Sequence, residues 1–115
     1  MISKNRTKRH MIEFRAKGRT LVVVPGHCEV RVGDWVTFDN LNADPVDVLI
    51  LSKDLFGKKR IFTLKHGAKS RAFRVVKGAS GRYPYAVYDP VARKFGHGSG
   101  VPIIIVLPGD DRAIR

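Results

Sequence analysis

The most constraining feature of this chain is the shortness of its apolar runs. Leu21-Val-Val-Val24, Val46-Asp-Val-Leu-Ile-Leu51 and Ile103-Ile-Ile-Val-Leu107 are dominated by β-branched and aliphatic residues, and glycine, proline or a polar segment bounds each of them. No segment carries a 3.6-residue apolar period long enough for a substantial helix. Seven to nine short strands at close spacing predict an all-β fold, a single-domain antiparallel Greek-key β-sandwich or barrel. The 115 residues, 43% of them hydrophobic, suffice for one core and leave no room for a second domain.

In chain order, residues 1–8 read as a basic flexible arm and residues 9–115 as the domain. Met11, Ile12 and Phe14 mark a short strand and Lys17-Gly-Arg19 a turn before the Leu21 to Val24 strand. That strand is expected to lie at a sheet edge with backbone free for self-association. Cys28 and Val30 alternate with His27, Glu29 and Arg31, Gly33-Asp34 is a turn pair, and Trp35 to Phe38 continues as a strand. Ser52 as N-cap and Gly57 as stop frame a helical turn. Ile61, Phe62 and Leu64 form a strand, His66-Gly-Ala68 turns, and Arg71 to Val76 is predicted as a further strand. The period-two aromatics of Gly81-Arg-Tyr-Pro-Tyr-Ala-Val-Tyr-Asp89 mark one strand that buries rings on one face, and Gly96-His-Gly-Ser-Gly100 reads as a flexible loop.

The charge balance is +12, from 22 Lys and Arg against 10 Asp and Glu, which favours anionic partners. Lys4, Arg6, Lys8 and Arg9 concentrate it in the arm, and Lys58-Lys-Arg60 forms a second cluster that reads as a solvated turn. Cys28 is the one cysteine, so the fold stands without an internal disulfide. No apolar segment has the length of a signal h-region or a membrane span, and a cytoplasmic location is expected. Nucleophile elbow, HExxH and P-loop patterns are missing, so no catalytic residue is assigned and a non-enzymatic role is expected.

Further resemblance lies in Gly33-Asp-Trp-Val-Thr-Phe-Asp-Asn40, which resembles the Gly-Asp-x-Val-x-Phe-x-Asn signature of cupredoxins, the small blue-copper domains related to plastocyanin. The Pro45 that follows, Leu64-Lys-His-Gly67, Gly81-x-Tyr83-x-Tyr85-x-Val87 and the terminal Ile103 to Val106 strand are similar to later elements of that family, over about 21–107. The resemblance implies a copper held by two His, a Cys and an axial Met. It equates those positions with Val46, Pro90, Val87 and Phe95, none of which can ligate copper. His27, Cys28, His66 and His97 are dispersed, and His27 and Cys28 point to opposite faces of a strand. No cofactor and no metal are therefore expected.

Three functions are weighed. The first is a non-catalytic binding or scaffold module whose metal pocket is refilled by aliphatic side chains. The second is nucleic-acid binding through Arg71, Arg74, Lys77, Arg82, Tyr88, Arg93, Lys94 and His97, with the arm adding affinity, because basic and aromatic groups alternate there. The third is a metal-binding or electron-transfer protein with a rearranged site.

Overall fold

The computed structural model describes residues 7–109. Eleven strands and one helical turn follow in the order β1 (Arg9–Lys17), β2 (Thr20–Val24), β3 (His27–Val30), β4 (Trp35–Asn40), β5 (Val46–Ile50), α1 (Lys53–Phe56), β6 (Arg60–Leu64), β7 (Phe73–Arg74), β8 (Gly81–Pro84), β9 (Ala86–Asp89), β10 (Lys94–Phe95) and β11 (Ile103–Val106). They form three sheets, ordered β2-β1-β4-β7, β10-β9-β5-β6 and β3-β11-β8. The all-β sandwich is the predicted one, and most neighbours are antiparallel. Two pairings, β1 with β4 and β3 with β11, are parallel.

Local signals place many elements. Ser52 caps α1 by accepting a hydrogen bond from Asp54 N at 3.1 Å, and Gly57 ends it at φ 87°. Val46, Val48 and Ile50 are buried while Asp47 and Leu49 are half-buried, the alternation of a strand with one core face. Phe38 is the hub of the core. Its ring lies 5.8 Å from both Phe14 and Phe62, 5.9 Å from Tyr85 and 6.1 Å from Phe73, so a single side chain of β4 touches rings from several strands. Burying each such side chain contributes about 1.5–3 kcal/mol.

Asp34 fixes the start of β1. Its buried carboxylate accepts from Lys8 N and Arg31 N at 3.0 Å and meets His10 Nε2 at 2.8 Å. Burial pushes its pKa upward, but the hydrogen bonds from His10, Lys8 and Arg31 outweigh that and hold it below the usual carboxylate range. Lys8 O also accepts from Trp35 N, so the chain is tied to the sandwich by residue 8. Lys4 and Arg6 lie outside the described residues, as do 110–115.

Four expectations change. The first strand is nine residues long, because parallel pairing with β4 supports it from Arg9 onward. The predicted Arg71 to Val76 strand shrinks to Phe73–Arg74; Val75 turns instead to the 33–34 loop, donating to Asp34 O and accepting from Gly33 N. Gly81 to Asp89 is two strands in two sheets. Tyr85 marks the break: its N donates to Pro102 O, β8 pairs with β11, and β9 pairs with β5.

The fourth change joins two expectations. The backbone of β2 is not free, because His97 N donates to Leu21 O at 3.0 Å and Val23 N donates to His97 O at 2.9 Å. The Gly96 to Gly98 segment is thus a strap that links β2 to β10 and so closes one seam between the two four-stranded sheets. Its glycines serve close approach: a Cβ on Gly98 would lie 2.2 Å from Gly26 Cα, and one on Gly96 would lie 3.0 Å from Val23 Cγ2.

Candidate functional site

Three regions carry the residues singled out in the sequence. The first surrounds Val46 and Val87. Val87 sits opposite Val48 in the β5–β9 ladder, so Val46 is its diagonal neighbour on the same inward face, and both are fully buried. Pro90 is exposed in the turn after β9. Phe95 faces the other way, since β10 pairs it with Tyr88, whose ring it meets at 4.8 Å. It stands on the outer face of the sheet, not beside Val46 and Val87.

A closed polar network lies at this end. Asn40 Nδ2 donates to Asp44 O and Leu64 O at 2.9 Å, and its Oδ1 accepts from Asn42 N at 3.0 Å. Asn42 Nδ2 donates to Asp89 Oδ2 at 3.0 Å, while Asp89 Oδ1 accepts from Val91 N and Ala92 N at 2.9 and 3.0 Å. Burial raises the Asp89 pKa, but these hydrogen bonds prevail and leave it below the usual range. The hydrogen bond with Asp89 pushes the Asp44 carboxyl the other way, upward. Asn42 O accepts from His66 Nδ1 at 2.8 Å. Every buried polar side chain here has a partner, which is the condition for burying such a group at low cost.

The remaining sulfur and imidazole donors are dispersed as expected. His27 is exposed and Cys28 buried on β3, on opposite faces. Burial, with the charges of Asp34 and Glu29, pushes the Cys28 thiol up to about 11. His97 is exposed, its backbone committed to the strap. Among the described residues no three His, Cys, Asp or Glu side chains form a group that could hold a metal ion. No helix among them is long and apolar enough to cross a membrane.

The second region is the outer face of the β10-β9-β5-β6 sheet. Leu49 is opposite both Ile61 and Ala86, and Asp47 is opposite both Thr63 and Tyr88, so these side chains share one face with Phe95. Ile61 is 62% exposed, Phe95 57% and the neighbouring Leu51 56%. Apolar groups therefore dominate a face with one carboxylate, Asp47, whose Oδ1 accepts from Thr63 Oγ1 at 2.6 Å.

The third region receives part of the predicted basic-aromatic set, which the fold does not gather. Arg74 lies over the Trp35 ring at 5.7 Å, Lys77 is in a turn, Arg82 is on β8, Arg93 is in the 90–93 turn at φ 57°, and Lys94 is on β10 beside Asp89. Tyr88 is on the outer face, Tyr85 is buried, and Tyr83 Oη accepts from Ser80 N at 3.1 Å. Arg71 has as neighbours two residues of the Lys58-Lys-Arg60 run, which is expected from its composition to be a solvated turn. With Lys59 and Arg60 it lines a cleft of about 440 Å³ at the seam between β6 and β7. The run Lys58-Lys-Arg60 was the available signal, but nothing local connects it to Arg71.

No family model and no curated protein matches the sequence. Solved structures do match in three dimensions. A purple cupredoxin from Nitrosopumilus maritimus superimposes with a TM-score of 0.55 at 20% identity, over 84% of this chain and 98% of that one. The fold is that of the cupredoxins. An oxidized amicyanin mutant follows at 0.54 and 19%, over 84% of this chain and 82% of its own. A reduced Cu(I) amicyanin mutant matches at 0.53 and 15%, over 92% and 86%. At these identities the likeness defines the cupredoxin architecture and leaves the chemistry of the chain to its own residues.

Proposed function

We propose that this cupredoxin-fold chain is a non-catalytic, copper-free binding module that docks a protein partner on the outer face of the β10-β9-β5-β6 sheet. The observation that carries the proposal is the exposed apolar face formed by Leu49, Ile61, Ala86 and Phe95. A contiguous apolar face on a chain this rich in charge is the mark of an interaction surface. Cations flank it, Lys59 beside β6 and Arg93 in the turn before β10, so charge complementarity selects a partner with an apolar centre and an acidic rim.

The copper-free reading rests on donor chemistry. Val46 and Val87 supply no lone pair, Pro90 lacks a donor side chain, and Phe95 faces away from both. Soft thiolate and imidazole donors, which a blue-copper centre requires, do not fit this set. Copper(II) added to the protein is expected to give no thiolate-to-copper absorption band; an intense visible band would reject the copper-free reading. The docking reading is tested by cross-linked capture with the wild type and with Ile61→Ser/Phe95→Ser. An acidic partner captured by the first and lost by the second supports the face, and a partner retained by both contradicts it.

Nucleic-acid binding is the second reading, favoured by the cations at the β6–β7 seam that have no acidic partner among the described residues. Salt-dependent retardation of a labelled oligonucleotide is the expected sign. No shift at low salt would end it.

A further inference from the structure

At the β6–β7 seam, two guanidinium groups share one aromatic ring. Arg60 Cζ lies 5.2 Å and Arg71 Cζ 5.4 Å from the centroid of Phe73, so the two charges are no farther apart than those distances combined. Phe73 is buried and held by Phe56 at 5.4 Å and Phe62 at 5.3 Å, which makes it a fixed platform. Stacking on a fixed ring limits the conformations of both arginines before any ligand arrives.

Among the described residues these cations have no acidic partner. The ion pairs among the described residues are His10 with Asp34 and Arg15 with Glu13. The Arg60 side chain makes one hydrogen bond, from Nη2 to Phe56 O at 3.2 Å, and its buried Nε has none. The nearby hydroxyls are already committed: Thr63 donates to Asp47, and Ser70 accepts from Phe38 N and donates to Arg71 O. What the cleft offers is therefore positive charge from Lys59, Arg60 and Arg71, which line one opening.

We propose that this cleft binds a phosphate group. A phosphate monoester presents three acceptor oxygens and up to two negative charges, which matches three cations better than a carboxylate with two oxygens and one charge. Planar guanidinium forks take such oxygens in pairs, and the lysine adds a point charge. The site does not depend on the protein-docking reading, which uses the outer face of the sheet.

The test is a residue-resolved NMR titration of the full chain at constant ionic strength, with inorganic phosphate, AMP, a short single-stranded RNA and succinate as probes. Saturable shifts confined to 59–64 and 70–73 are expected for the phosphate-bearing probes. Arg71→Gln and Lys59→Gln, both at exposed positions, should each weaken phosphate binding by about tenfold while leaving the thermal melt unchanged. AMP binding tighter than phosphate at the same residues identifies a free nucleotide as the ligand class. Tighter RNA binding with shifts spreading beyond the cleft identifies a nucleic-acid backbone, and equal binding of all three identifies the phosphate group alone. The proposal is overturned by any of three results: no saturable shift with phosphate, unchanged affinity in both variants, or succinate binding as tightly as phosphate.

Discussion

The two four-stranded sheets meet along two seams, and the seams are built on opposite principles. At the β2–β10 seam, backbone does the joining: Gly96 to Gly98 crosses between the sheets, Gly98 packs on Gly26, and Asp89 and Asn42 satisfy the nearby buried donors and acceptors. At the β6–β7 seam no ladder joins the two strands among the described residues. Rings fill the interior, and charged side chains with no acidic partner among the described residues line the opening. Free chemistry resides at the second seam. A seam whose polar groups are satisfied internally has little left to offer a ligand, whereas one that leaves cations without acids beside an aromatic platform is prepared for an anion.

The largest effect should come from breaking the strapped seam. Gly98→Ala would drive a Cβ against the backbone of Gly26, and urea unfolding should show a loss of about 3 kcal/mol. A loss below roughly 0.5 kcal/mol, the range of ordinary surface substitutions, would mean that the strap does not hold the sheets together.

Next comes the polar network at the same end. Asp89→Asn removes a charged acceptor from Val91 N, Ala92 N and Asn42, and should cost about 2 kcal/mol at neutral pH. The folded-state pKa of Asp89 is depressed, so its contribution is fully present above the unfolded carboxylate range and is lost as pH falls through the folded value. Asp44, shifted upward, has the opposite sign and loses its contribution as pH rises through its raised value. Stability measured against pH should therefore fall less steeply toward acid in Asp89→Asn than in the wild type. An unchanged acid limb would mean that Asp89 does not contribute to stability.

Gly96→Ala should be milder, about 1 kcal/mol, because the added methyl meets the side chains of Val23 and Leu21, which can yield, and not backbone. The smallest change is expected on the outer face. Ile61→Ser should alter stability by less than about 0.5 kcal/mol, since the side chain is mostly exposed. Calorimetry distinguishes both from the Gly98 variant. Cys28 offers a check on the core itself: its buried thiol, with its pKa raised to about 11, should resist a thiol reagent at neutral pH until the protein is unfolded.

Much of the fold was legible because its signals are local. Alternation in Val46 to Ile50, the cap at Ser52 and the left-handed Gly57 need only neighbouring residues to be understood. The division of Gly81 to Asp89 was not legible, because it depends on which distant strand each half pairs with; alternating aromatics read the same in one strand or two. The Gly96 to Gly100 segment misled for a physical reason. Glycine suggests freedom when read alone, yet here it permits contact with Gly26, far away in sequence. Phe95 belongs to the outer face because the 90–93 turn, with Arg93 at φ 57°, sets the register of β10 against Tyr88. The β6–β7 cleft was hidden for a similar reason: Lys59, Arg60 and Arg71 become neighbours only when two sheet edges are brought side by side.

Amide hydrogen exchange resolved by residue tests the contrast between the seams most directly. Val23 and His97, whose amides donate across the strap at 2.9 and 3.0 Å, should be protected to the level of the central β4 and β5 amides, while β6 amides facing away from β5 should exchange quickly. Rapid exchange at Val23 and His97, with protection along the outer edge of β6, would contradict it.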